Sequence, residues 1–390
     1  MRIAIVHDYL NQYGGAERVV EALHEVYPKA PIYTSIYDKD IMPDSFKSMD
    51  IRTSFMQKLP FKRRHFKKYL LLYPKAFESF DFSGYDVVLS SSSAFSKCLR
   101  TNKNTCHISY IHTPARFIWF YEDYIKREDI EGVYLKVLPS IIRYLKRKDI
   151  ESSKSVDYFI ANSENVKKRI KRFYRREAEV IHPPVECHRF CPPDQISTPG
   201  VDDKRVNDNN GYFLIVSRLR EYKRIDIAIE GFNELGLPLK IIGDGSHREK
   251  LEKIAKSNIE FLGKVNNEDL VDYYKGCSAL IFTGEEDFGI TPLEAQACGK
   301  PVIAYRGGGA LETVIDETLV PPRHRDKKLK TGKFFYPQTK DALVKAVKEF
   351  NPSDYDPDII RKHALKFDKS VFKKKIKEFV DKSFKEFISG

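Results

Sequence analysis

Short apolar runs recur along this chain, and after each one the residue spacing changes to that of a helix. Residues 3–6 are the first such run. A loop over 8–15 follows it, and then Val19, Val20, Leu23 and Val26 fall at helical spacing. Further runs are 32–37, 87–90, 107–111 and 158–161, with helical patterns over 133–155 and 164–174. The runs are continuous rather than alternating, as in strands covered on both faces by helices. A second series begins at 212–216 and continues through 239–242, 259–262, 279–282 and 301–304. Its intervening helices are read at 224–235, 246–256, 267–275, 291–298 and 310–314. The fold class is therefore α/β, with two parallel sheets.

The 390 residues are too many for one ordinary core and suit two domains. Residues 192–211 are rich in Pro, Asp and Asn and have little to bury, so the boundary is placed there. The expected organisation is a first domain over 1–190, a linker over 191–211 and a second domain over 212–366. Helical patterns at 340–350 and 358–366 end the second domain, and a terminal helix occupies 367–390. In that helix Phe372, Ile376, Phe379 and Phe384 lie at roughly helical spacing, a docking face. Two such domains enclose a cleft, and ligands in these folds bind at the carboxyl ends of the strands.

The residues with chemistry to offer lie in loops that follow strands. Gly14 and Gly15 precede the first helix, where a close backbone approach and free N–H groups suit an anion. Arg218 and Lys223 flank the turn after 212–216, and both can reach a pyrophosphate. Glu286 and Glu294 are eight residues apart around the start of the helix at 291–298. One carboxylate suits sugar hydroxyls and the other a ribose; an acid and nucleophile pair of a glycoside hydrolase is the alternative. His112 closes the run 107–111 and is placed to project into a site. His7 and His107 are its rivals, and His107, at the start of a strand, reads as structural.

Other features read differently. Cys187, His188, Cys191 and His182 fit no standard zinc spacing, and no metal site is expected. Asp-x-Asp triplets at 38/40, 354/356 and 356/358 fall in loops of a chain rich in charge. With 67 Lys and Arg against 55 Asp and Glu, the net charge is +12, which points to an anionic partner. The segment 58–75 carries seven Lys or Arg and no acid, among them Lys62, Arg63, Arg64, Lys67 and Lys68, interleaved with Phe61, Phe66, Leu70 and Tyr73. A second run over 167–176 holds seven more. Such a face suits an anionic bilayer or a lipid-linked phosphate acceptor. No nucleic-acid motif accompanies it, so no specific nucleic acid is expected. The first apolar run is too short for a signal peptide and no run of 18 apolar residues occurs. The expected location is the cytoplasm, peripheral on the inner face of the cell membrane.

The segment 284–304, Gly-Glu-Glu-Asp-Phe-Gly-Ile-Thr-Pro-Leu-Glu-Ala-Gln-Ala-Cys-Gly-Lys-Pro-Val-Ile-Ala, resembles the Glu-x7-Glu motif of retaining family 4 glycosyltransferases. Gly14-Gly15-Ala16-Glu17, His112-Thr113-Pro114, Ser217-Arg218-Leu219 through Lys223-Arg224, and Ile242-Gly243-Asp244-Gly245 resemble that family in order and spacing over roughly 1–385. The resemblance implies a GT-B fold: two Rossmann-like domains facing a cleft, with the terminal helix crossing back to the first. It implies a nucleotide-sugar donor held mainly by the second domain, retention of anomeric configuration and no obligatory metal. Carried onto this chain, Arg218 and Lys223 hold the diphosphate and Glu294 the ribose. Glu286 contacts the sugar hydroxyls, Phe288, Gly289 and Ile290 seat sugar and phosphate, Gly15 approaches the phosphate, and His112 the sugar near its 6-hydroxyl. Residues 217–226 with 112–116 look most like bacterial mannosyltransferases of O-antigen synthesis, which implies GDP-mannose as donor and a lipid-linked oligosaccharide or polysaccharide as acceptor. UDP-glucose, UDP-N-acetylglucosamine or another nucleotide sugar is the alternative donor. A noncatalytic module binding nucleotide sugar or nucleic acid, or an epimerase of the same fold, is the alternative class. Asp287 and Ser217 depart from the family pattern, where glycine is frequent.

Overall fold

The computed structural model describes residues 1–61, 66–121, 134–190, 211–317 and 329–390. The chain forms two units, Met1–Pro184 with Ser370–Gly390, and Val185–Lys369.

The first unit is built on a parallel sheet of seven strands in the order β3-β2-β1-β4-β5-β6-β7. They are β1 (Ile3–His7), β2 (Ile32–Thr34), β3 (Ile51–Thr53), β4 (Val87–Ser92), β5 (Cys106–Ile111), β6 (Tyr158–Ala161) and β7 (Glu179–Val180). Along β1 the side chains divide between two cores. Ile3 and Ile5 join Val19, Leu23 and Ile108, whereas Ala4 and Val6 join Phe77, Val88 and Phe95. Burial on both faces explains why the run is apolar throughout. Two outer strands, β3 and β7, escape the sequence reading because an edge strand has less to bury; β3 is only partly covered. The expected strand over 32–37 ends at Thr34.

The second unit carries a parallel sheet of six strands in the order β10-β9-β8-β11-β12-β13. These are β8 (Tyr212–Val216), β9 (Leu239–Ile242), β10 (Ile259–Gly263), β11 (Cys277–Phe282), β12 (Val302–Tyr305) and β13 (Gly332–Phe335). Leu214 faces one core while Phe213 and Ile215 face the other. The edge strand β13, with a glycine and a lysine among its four residues, was not expected from the pattern.

Two boundaries differ from expectation. The first unit ends at Pro184 rather than 190, because Val185, Cys187 and Phe190 are buried in the core of the second unit, with Phe190 edge-on to Tyr274. The expected linker at 191–211 lies, apart from Gly211, outside the described residues. The last helix, Lys369–Ser389, joins the first unit from Ser370 onward. Phe372, Ile376 and Val380 are its buried residues in that core, and Phe372 meets the Tyr110 ring edge-on at 5.9 Å. Phe379 and Phe384 sit at the margin of the same core rather than within it.

Both sheets have a point where the chain order reverses, between β1 and β4 in the first and between β8 and β11 in the second. Loops at the carboxyl ends of strands on either side of such a point part and leave room for a ligand.

Candidate active site

In the second unit, four loops leave the carboxyl ends of β8, β9, β11 and β12, and glycines pack them together. Gly243 has φ +132°, and a Cβ there would fall 1.8 Å from the Ser217 carbonyl oxygen. A Cβ on Gly245 would lie 2.3 Å from the Leu219 carbonyl oxygen. The loop after β9 therefore rests on the backbone of 217–219 only because neither position has a side chain. Gly284 lies against the Lys223 backbone in the same way: a Cβ there would come within 3.0–3.3 Å of it. The Thr283 hydroxyl donates to the Lys223 carbonyl at 2.9 Å. The ends of β8 and β11, neighbours in the sheet, are thus clamped to each other.

This clamp brings two expected site residues together: the Lys223 ammonium and the Glu286 carboxylate form an ion pair. Both remain partly exposed, 16% and 19%, so the pair is not locked in a dry core. Arg218, on the same loop as Lys223, is exposed. The third loop is held by glycines that the sequence reading left without a role. The Gly309 amide donates to the Glu286 carbonyl at 2.9 Å, and a Cβ there would come within 2.2 Å of Phe288 Cα. A Cβ on Gly308, at φ +56°, would likewise fall 2.2 Å from the Glu286 carbonyl oxygen. Gly308 and Gly309 are what shape residues 286–288.

Glu294 belongs to the helix Ile290–Ala297, which starts after Gly289 at φ +86°. The first N–H groups of such a helix have no partner within it. Glu294 is buried, and Tyr274 donates its hydroxyl to Oε2 at 2.7 Å. Phe288 is buried; Gly289 and Ile290 are partly exposed. Ser217 is not among the described non-glycine residues at positive φ, so serine suits the place where glycine is frequent.

In the first unit the polar residues lie inside. Gly14, extended at φ −160°, precedes the helix Gly15–Val26. Glu17 in its first turn is buried, and its Oε1 is 3.7 Å from His7 Nε2. His7, the last residue of β1, reaches Ser91 of β4: Nδ1 is 3.0 Å from the carbonyl oxygen and 3.2 Å from Oγ. Ser91 Oγ is 2.7 Å from His112 Nε2, just past β5. The Asn162 side chain donates to the His112 carbonyl at 2.9 Å. Burial, then the positive field of His7, pushes His112 down to about 3. For His7, burial alone acts downward, but the Glu17 contact, with the charge of Asp8 and the Ser91 carbonyl, leaves its pKa above the ordinary value. Asp8 itself accepts four backbone N–H groups, from Ser93, Ala94, Phe95 and Ser96, fixing the loop after β4. His107 hydrogen-bonds Ser90 at 2.9 Å and is fully buried, the structural role expected of it.

The expected basic surface is reached only in part. Lys62, Arg63 and Arg64 lie outside the described residues, as do the side chains of Lys67 and Lys68. Of the interleaved apolar residues, Tyr73 is buried and Phe61 is exposed. Among the described residues no helix is long and apolar enough to cross a membrane, and no cluster of three His, Cys, Asp or Glu is placed to hold a metal ion.

Comparisons with known proteins agree with this architecture. Residues 13–189 match the family model described as Glycosyltransferase Family 4, and residues 201–366 the model described as Glycosyl transferases group 1. The chain is 24% identical over 368 residues to O-antigen chain mannosyltransferase C of Escherichia coli, spanning 90% of this chain and 88% of that protein. It is 24% identical over 370 residues to alpha-1,3/1,6-mannosyltransferase ALG2 of Dictyostelium discoideum, spanning 81% and 84%. HepE of Anabaena, solved in complex with UDP, superposes with a TM-score of 0.67 at 15% identity, covering 98% of this chain and 100% of that one. Two family models that between them leave few residues unmatched, relatives aligned along most of their length and a shared pair of parallel sheets lead to one assignment: the chain belongs to the family 4 glycosyltransferases of GT-B fold.

Proposed function

We propose that the protein transfers mannose from GDP-mannose, with retention of anomeric configuration, to a lipid-linked oligosaccharide or polysaccharide. The observation that carries this reading is the pairing of Lys223 with Glu286 across the switch point of the second sheet, with Glu294 on the helix behind. A cation and a carboxylate at one place suit a ligand that is anionic at one end and rich in hydroxyls at the other. Arg218 and Lys223 take the diphosphate, Glu286 the sugar hydroxyls and Glu294 the ribose; Phe288, Gly289 and Ile290 seat sugar and phosphate. In the first unit Gly14 and Gly15 approach the phosphate and His112 the sugar. The bond from the anomeric carbon to the diphosphate breaks as the acceptor oxygen bonds to that carbon on the same face. The acceptor's proton passes to a departing phosphate oxygen. Arg218 and Lys223 offset the charge released, so that a metal is not obligatory. Glu286 orients and stabilises without forming a covalent bond to the sugar.

Mannose is favoured by the two mannosyltransferase relatives. A second reading, a UDP-sugar donor, is favoured by the UDP bound to HepE. The basic segment 58–75, with exposed Phe61 and Leu71, supports an anionic membrane or lipid-linked acceptor on the inner face of the cell membrane. The test is a thermal-shift panel of GDP, UDP, dTDP and their sugars with and without EDTA, followed by product analysis with the stabilising donor. A GDP-selective shift indifferent to EDTA and transfer of mannose are expected. Transfer should fall on the order of 100-fold or more in Lys223→Ala and Glu294→Ala. Selective stabilisation by UDP would give the donor to the second reading, and wild-type transfer by both variants would remove the site assignment.

A further inference from the structure

The buried line Glu17–His7–Ser91–His112 has a definite proton arrangement, fixed by what each neighbour can donate or accept. The Ser91 carbonyl can only accept, so His7 Nδ1, 3.0 Å away, carries a hydrogen. On the other side of the ring the Glu17 carboxylate, 3.7 Å from Nε2, also only accepts. A neutral His7 would leave one of these acceptors facing a bare nitrogen lone pair in a site where all three residues are buried. Acceptors on both sides call for hydrogens on both nitrogens, and Glu17 supplies the matching charge.

The consequence passes through Ser91. His7 Nδ1–H also lies 3.2 Å from Ser91 Oγ, which therefore accepts on that side. The single hydroxyl hydrogen of Ser91 is then directed at His112 Nε2, 2.7 Å away. Were Nε2 protonated, Ser91 Oγ would accept from both rings and its own hydrogen would need a further acceptor inside a fully buried site. His112 Nε2 is thus the acceptor and its proton resides on Nδ1. A second positive charge on His112 is opposed by the His7 ring, whose centroid is 6.4 Å away. Tyr110, edge-on to the His112 ring at 5.2 Å, brings no opposite charge.

We propose that Glu17 and His7 are positioning residues that, through Ser91, hold His112 as the neutral Nδ1–H tautomer, so that it offers a hydrogen-bond donor rather than a cation to an oxygen of the bound sugar. The last step rests on the reading of His112 as a sugar contact; the tautomer itself does not. The experiment is long-range 15N–1H correlation of the full chain labelled at histidine, with His7→Gln and His112→Gln used for assignment. At pH 7 the wild type should show His112 protonated only at Nδ1 and His7 protonated at both nitrogens. In Glu17→Gln, His7 should become neutral and the His112 signals should move toward a mixture of tautomers; Ser91→Ala should produce that mixture directly. Transfer by Glu17→Gln should fall roughly 10- to 100-fold in kcat, the usual range for a group that orients another, with the donor KM changed less than about twofold. A wild-type His112 protonated at Nε2 or doubly protonated at pH 7 would overturn the proposal, and that spectrum needs no variant to fold. So would an unchanged His112 spectrum in folded Glu17→Gln. If the spectra are as stated and His112→Ala still transfers at the wild-type rate, the proposal's donor role fails, while loss of transfer in Lys223→Ala would still uphold the glycosyltransferase site.

Discussion

The two units share a sheet plan but handle charge in opposite ways. The first draws it inside: Lys97 and Asp149 form a pair at 1% and 0% exposure, and Glu17 and His7 a second. Asp149 also accepts from Trp119 Nε1 at 2.7 Å and the Tyr174 hydroxyl at 2.8 Å, so each of its carboxylate oxygens has a partner. The second unit instead places its distinctive pair, Lys223 and Glu286, at the rim, and achieves tight fit with bare backbone at Gly243, Gly308 and Gly309. A buried, fully partnered network is hard to rearrange and suits the fixing of a ring's orientation. Charges near water keep their freedom to exchange one partner for another, which an incoming anion requires.

The sharpest way to break this contrast is to remove one cation from each unit. Lys97→Met leaves Asp149 buried and uncompensated and should cost roughly 3–5 kcal/mol, while Lys97→Met with Asp149→Leu should recover most of it. Lys223→Met should cost far less stability in the same denaturant titration, yet remove the thermal shift given by nucleotide. Equal losses from the two single variants would erase the distinction.

Next in size is the backbone fit. Gly309→Val must push residues 286–288 aside and should cost roughly 1–3 kcal/mol together with nucleotide binding. Gly84→Ala in the first unit, where a Cβ meets nothing within 4 Å, should stay within about 0.5 kcal/mol and leave binding intact.

Smallest near neutral pH, and growing on acidification, is the pH dependence of stability. Burial first, with smaller contributions from Lys97 and Lys366, holds His107 and His363 neutral down to about 4, and burial with the field of His7 holds His112 neutral down to about 3, against 6.5 for the free side chain. Below pH 6.5 the unfolded chain binds protons that these three refuse. Their contribution is therefore complete above that pH and lost as pH falls toward 4 and 3, at about 1.4 kcal/mol per pH unit for each proton. His7, raised in the fold, works in reverse: its contribution is present below 6.5 and fades as pH rises through its folded value. Calorimetry over pH 4–8 should show His363→Gln flattening the acid limb and His7→Gln flattening the neutral limb. An acid limb unchanged in His363→Gln would show that its ring is not held neutral.

What could be read from the sequence follows the same divide. Strands covered on both faces, such as β1 and β8, announce themselves as apolar runs, whereas three of the four edge strands, β3, β7 and β13, were missed; the fourth, β10, was read because Ile259, Phe261 and Leu262 stand close together in it. Residues 284–294 were legible because the chemistry is local: acids, a glycine and a helix start within eleven positions. The first unit's network was not, because its members meet only through folding. Lys97 and Asp149 are 52 residues apart, and His7 and Ser91 are 84 apart. His7 was weighed only as a rival to His112, although the two rings share Ser91. The contact of Gly308 and Gly309 with Glu286 needed the sheet order that makes β11 and β12 neighbours.

The return of residues 370–390 to the first unit has a consequence for synthesis. The second unit is one continuous stretch, Val185–Lys369, and has all its own residues before that helix is made. The first unit is begun by residue 3 but lacks Phe372, Ile376 and Val380, which sit beside Ile5, Ile108 and Tyr110 in its core. On the ribosome, the part that starts first finishes last. It waits with an uncovered apolar face through nearly the whole of translation, the interval in which a nascent chain is most open to capture by a chaperone or by another unfinished copy of itself.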